Sequence, residues 1–84
     1  MITRNITVNI KEAESRPVAM LVQIASQYES KIYVESGSKK FNAKSIMGMM
    51  ALGLVEGEEL VLTIEGDDES DAADTIEKFL VGEN

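Results

Sequence analysis

Residues 32–53, IYVESGSKKFNAKSIMGMMALG, carry the pattern that decides the fold. Ile32, Tyr33, Val34 and Glu35 form a β-prone run, Ser36-Gly37-Ser38 is turn chemistry, and Lys40-Phe41-Asn42-Ala43 is a second short strand. Ser45 is a preferred N-cap residue for the stretch from Ile46 to Leu52, and Gly53 stands where a helix needs its C′ residue. A hairpin therefore runs directly into a brief apolar helix.

The flanks extend this unit in both directions. Upstream, Ile6, Val8 and Ile10 alternate with Thr7 and Asn9, the period of a strand with one buried face. Ser15 then caps a helix whose first turn holds Pro17, where a missing N–H costs nothing. Val18, Leu21, Val22, Ala25 and Tyr28 recur on one face of that helix. Met20, Gln23 and Gln27 point away, which leaves Met20 half exposed. Downstream, Leu60, Leu62 and Ile64 share one face of a strand ending at Glu65. Gly66-Asp67-Asp68 turns into a last helix capped by an aspartate, with Ala72, Ala73, Ile76, Phe79 and Leu80 as its inner face. Acids fill the first turn of that helix, at the positive end of its dipole. The order β-α-β-β-α-β-α, without repeat or linker, predicts one α+β domain over residues 1–84, a two-layer sandwich with its helices on one sheet face.

Composition narrows the function. The chain has 84 residues, no cysteine and 44% apolar residues, so its stability must come from one apolar core. The first ten residues alternate instead of forming a continuous apolar run, which predicts neither a signal peptide nor a membrane span and fits a cytoplasmic protein. The net charge of −7 is uneven: residues 1–50 carry +3 and residues 51–84 carry −10. A surface this acidic argues against direct nucleic-acid binding, which needs phosphate contacts from basic residues. The basic half concentrates Lys39, Lys40 and Lys44 near Ser45 in sequence.

Conventional catalysis lacks its parts. There is no histidine for proton transfer, no nucleophile–base pair, no metal-ligand spacing and no glycine-rich phosphate loop. No enzyme activity, metal or cofactor is therefore expected. In the helix 46–52, Met49 and Leu52 share one side while Ile46, Met47 and Met50 share another. Two readings stay open: a helix buried all round, or one whose second side is a methionine-rich patch suited to an adaptable partner. Ser45 caps this helix in either case. A phosphate on its hydroxyl would lie at the positive helix end, within reach of Lys39, Lys40 or Lys44, and would add a charge of about −2.

Together, Glu14-Ser15-Arg16-Pro17 at the first helix start and N-A-K-S-I-M-G-M-M at the second (Asn42–Met50) resemble the HPr family, the histidine-containing phosphocarriers of the bacterial phosphotransferase system. The resemblance spans the chain and implies an open-faced sandwich, a four-stranded antiparallel sheet with three helices on one face. In that family the first motif is H-x-R-P, and its histidine carries the phosphoryl group. Here Glu14 occupies the histidine position and Glu12 replaces the usual glycine, while Arg16 and Pro17 are kept. A carboxylate cannot replace the neutral ring nitrogen that acts as nucleophile. Histidine phosphoryl transfer is therefore not expected.

Ser45 matches the serine that HPr kinase/phosphorylase modifies in Gram-positive relatives. Ile46, Met47 and Met50 match the docking patch beside it. A missing histidine with this serine intact resembles the Crh type, the catabolite-repression branch of the family. The resemblance implies that the serine-phosphorylated form docks on a LacI-type catabolite control transcription factor through Arg16, Ile46, Met47 and Met50, with Met20 as a further contact. Crh members carry glutamine at the lost histidine, so Glu14 adds a charge at that surface. Two alternatives remain: a diverged interaction domain lacking both phosphorylations, and an unusual phosphocarrier using Glu14.

Overall fold

The computed structural model describes residues 1–10 and 16–82, with the Arg16 side chain outside the description. In chain order the elements are β1 (Ile2–Thr7), α1 (Arg16–Ser26), β2 (Lys31–Ser36), β3 (Lys39–Asn42), α2 (Ile46–Leu52), β4 (Glu59–Glu65) and α3 (Glu69–Leu80). The four strands form one sheet, order β1-β4-β2-β3, with every neighbouring pair antiparallel.

Register follows from the alternation of apolar residues. Ile64 stands between Ile2 and Ile32, Leu62 is paired with Val34, and Val34 in turn faces Phe41. A one-residue slip would send this whole set to the other face, so burial specifies the pairing. Leu60, Leu62, Ile64, Ile32 and Val34 are fully buried under Leu21, Ala25, Met49, Ala72, Ala73, Ile76 and Leu80 from the helices. Burying a leucine or isoleucine of this kind is favourable by about 1.5–3 kcal/mol. The alternate positions Thr3, Asn5, Val61, Thr63, Tyr33 and Lys40 lie on the opposite, uncovered face. The predicted open-faced antiparallel sandwich with three helices on one face is the fold observed.

Several local expectations change. The first strand lies earlier than its alternation suggested, because Val8 and Ile10 fall beyond β1. Val8 is nevertheless buried and still bonded to the chain entering β4, by Val8 N–H to the Glu58 carbonyl (2.9 Å) and Gly57 N–H to the Val8 carbonyl (2.7 Å). Asn9 then leaves the sheet and donates its N–H to the Leu80 carbonyl at the end of α3 (2.8 Å). Tyr28 is not on the α1 face, since the helix ends at Ser26; its hydroxyl reaches α3 instead and bonds Thr75 Oγ1 at 2.8 Å. β3 starts and ends one residue early, and Ala43 packs in the core with its N–H on the Ile32 carbonyl (3.0 Å).

Asp68 occupies the N-cap position of α3 but makes no capping bond with its side chain. Its carboxylate is taken by the turn before β2, accepting from Glu29 N–H (2.9 Å), Ser30 N–H (3.0 Å) and the Ser30 hydroxyl. These donors, the Ser30 hydroxyl first, hold its pKa below the ordinary carboxylate value. Glu69 covers the helix start by accepting from Gly66 N–H at 3.1 Å, a bond that also lowers its own pKa. Gly66 is required by the same junction. A Cβ there would come within 2.6 Å of the Ser30 Cα, closer than side chains approach backbone.

Candidate functional site

The sequence Asn42-Ala43-Lys44-Ser45 builds the start of α2 from its own polar groups. Asn42 Oδ1 accepts from Lys44 N–H (2.9 Å), and the Asn42 carbonyl accepts from Ser45 N–H (3.0 Å). This compact turn sets Ser45 in extended geometry, φ −100° and ψ 115°, as its capping role requires. Its hydroxyl accepts from Gly48 N–H at 3.2 Å, while its carbonyl accepts the first helical bond, from Met49 (2.9 Å). At the other end Gly53 adopts φ 62° and returns its N–H to Met49 O at 3.0 Å. A β-carbon is disfavoured at that φ, which explains the glycine.

α2 is two-sided. Met49 is fully buried and Leu52 packs partly against the core. Met47, Met50 and Ile46 remain 80%, 61% and 44% exposed. The open choice between a buried helix and an exposed patch is thereby decided for exposure. A seven-residue helix over a two-layer core has apolar residues to spare on its outer side. Met20, on the neighbouring α1, is 42% exposed. The expectations for Glu14, for Ser15 as an N-cap and for the Arg16 side chain lie outside the described residues; α1 itself begins at Arg16.

The three lysines expected near Ser45 are placed differently. Lys44 extends toward the end of α1 and donates from Nζ to the Tyr28 carbonyl at 2.6 Å. Lys40 belongs to the uncovered sheet face, where its Nζ sits 4.5 Å from the centre of the Tyr33 ring. Lys39 is exposed at the far end of β3 from Ser45. Sequence proximity could not show this, because strand alternation sends Lys40 to the face away from the helices. Exposed Val55, in the connection after α2, also went unread in the sequence because no periodicity marks a loop residue.

On the β1 edge, Arg4 Nη1 bridges Asp74 Oδ1 (2.9 Å) and Glu77 Oε1 (2.7 Å), tying β1 to α3. The two carboxylates, Asp74 first, raise the guanidinium pKa further. A groove of about 360 Å³ is lined there by Arg4, Asp74, Glu77, Lys78 and Val81. Among the described residues no helix is long and apolar enough to cross a membrane.

The four-stranded open sandwich is shared with solved HPr structures, and the PTS-HPr family (PTS HPr component phosphorylation site) matches residues 2–81. The chain belongs to this family. It is 38% identical to the HPr-like protein Crh of Halalkalibacterium halodurans over 81 residues, 95% of this chain and 96% of the relative. Among solved structures, phosphocarrier protein HPr from Bacillus anthracis superposes with a TM-score of 0.89 at 32% identity, covering 94% of this chain and 95% of that one. HPr-C-His from Thermoanaerobacter tengcongensis gives 0.83 at 44% identity, covering 100% and 99%. The chain is thus an HPr-family protein related to Crh, similar to both branches in fold, and it contains no histidine.

Proposed function

We propose that this chain is a non-catalytic, cytoplasmic regulator, one HPr-like domain over residues 1–84, switched by phosphorylation of Ser45. The phosphoryl donor is ATP, acting through an HPr kinase/phosphorylase. The Ser45 Oγ–P bond forms as ADP leaves, and the hydroxyl proton passes to a base of the kinase. The modified protein then docks on a LacI-type catabolite control transcription factor. Arg16 pairs with a partner carboxylate, and Ile46, Met47, Met50 and Met20 supply apolar contact. The phosphate contributes charge-assisted hydrogen bonds to partner cations. The chain contacts neither nucleic acid nor a membrane directly and holds no metal or cofactor of its own.

The reading is carried by one juxtaposition. At the N-cap of α2 a partly exposed serine, which accepts from Gly48 N–H through its hydroxyl, is followed by three exposed apolar side chains. Relatives named Crh and a chain free of histidine favour regulation over phosphoryl carriage. The test is incubation with HPr kinase/phosphorylase and ATP, wild type against Ser45→Ala. One phosphate on wild type and none on the variant is expected. No uptake by intact wild type would end the proposal and leave an interaction domain without phosphorylation.

A further inference from the structure

Gly48 is the residue of α2 that neither backbone nor packing explains. It is not among the glycines with positive φ, so its conformation is open to any residue. Within a helix, glycine is less favourable than every residue except proline. A Cβ built at this position would meet Ser45 Oγ at 3.4 Å, Ser45 Cβ at 3.5 Å and the Asn42 carbonyl oxygen at 3.9 Å. These are ordinary van der Waals distances, so the folded chain has room for alanine. A helix that forgoes alanine where alanine fits is breaking a local rule, and such breaks concentrate at functional positions.

The atom such a Cβ would approach most closely is the Ser45 hydroxyl oxygen. We infer that Gly48 is a positioning residue for modification of Ser45: its missing side chain keeps open the space that a phosphoryl group on Oγ must occupy. The hydroxyl alone tolerates a carbon at contact distance. A tetrahedral group with three further oxygens on the same atom does not, because an oxygen turned toward that carbon would overlap it and the allowed torsions about Oγ–P would narrow. Interiors and filled surfaces resist such added volume. Gly48 also presents a bare N–H to Oγ, at 3.2 Å, with no side chain beside it. This inference rests on Ser45 being the modified residue, and it assigns to Gly48 the cost in helix stability that the unmodified protein accepts.

Gly48→Ala and Gly48→Val test it, because both residues form helix better than glycine and differ in bulk. For the unphosphorylated chain, Gly48→Ala should raise Tm by about 4 °C. The rate of phosphorylation by HPr kinase/phosphorylase should fall at least about tenfold in Gly48→Ala, and further in Gly48→Val. A kinase-free comparison uses the full chain made by chemical synthesis with phosphoserine at position 45, with and without Gly48→Ala. There the order should reverse, the substitution lowering Tm in the phosphorylated chain although it raises it in the other. A purely structural glycine would not produce that reversal. Equal stabilisation of both chains by Gly48→Ala overturns the inference. Wild type that takes no phosphate from the kinase overturns the proposed function instead, while the synthetic pair still decides the role of Gly48.

Discussion

At Ser45 one oxygen meets two demands. It accepts the Gly48 N–H that would otherwise be unpaired at the helix start, and in the proposed function it is also the nucleophile. Loss of a serine cap costs about 1 kcal/mol, so Ser45→Ala should lower Tm by about 4–8 °C while leaving the fold intact, measured by thermal unfolding. A larger loss would mean that the hydroxyl is structurally indispensable. Asp68 shows the opposite outcome of the same chemistry. Its residue type and place read as a cap, yet three donors from the 29–30 turn take its carboxylate. The folded pKa is lowered from 3.8, so the stabilisation is complete above that value and disappears as pH falls through the folded one. Asp68→Asn should therefore be less stable than wild type near neutrality, and the gap should close in acid. A gap unchanged throughout an acid titration of Tm would remove Asp68 from the account.

At the scale of elements, α2 divides its apolar residues between the core and solvent; the grouping into two sides was legible, while the exposure of the second side was left open until the structure decided it. The 100° step per residue separates Met49 and Leu52 from Ile46, Met47 and Met50, and burial follows the same line. Met49→Ala should cost about 2–5 kcal/mol in denaturant unfolding, because it empties a filled site under the helix. Met47→Ser should change stability by no more than about 0.5 kcal/mol, yet, in the proposed function, weaken binding of the Ser45-phosphorylated protein to the proposed regulator. If the two variants were equally destabilised, α2 would not be two-sided in solution. Element ends were less legible than element faces. Val8 looks like strand interior because it alternates correctly and is buried. Its bonds, however, go to Glu58 and Gly57 outside the paired strands, which local periodicity does not encode. Tyr28 fits the helical spacing of α1 for a similar reason, although its hydroxyl is drawn to Thr75 on α3.

For the molecule as a whole, the fold is that of the phosphocarriers while the sequence holds no histidine. The sheet order β1-β4-β2-β3 and the helix layer match phosphocarriers closely, as the TM-score of 0.89 to the Bacillus anthracis HPr shows. A shared scaffold does not bring the shared reaction when the nucleophile is absent. Incubation with phosphoenolpyruvate and the general phosphotransferase enzyme I should therefore leave this protein unlabelled, and any label on Glu14 would contradict the regulatory reading. The sequence by itself determined the order of elements, the inward faces of β4 and α3, most of the inward face of α1, and the cap at Ser45. Those depend on periodicity and on contacts between residues a few positions apart. Only the tertiary structure decided where the polar groups go: Lys40 to the uncovered face, Lys44 to the Tyr28 carbonyl, Asp68 to the 29–30 turn and Arg4 to α3. Each of these pairings joins segments distant along the chain or depends on which face a strand turns to the helices. Hydrogen bonds and charges find the partners that folding brings near, and nothing in the local pattern of residues names them.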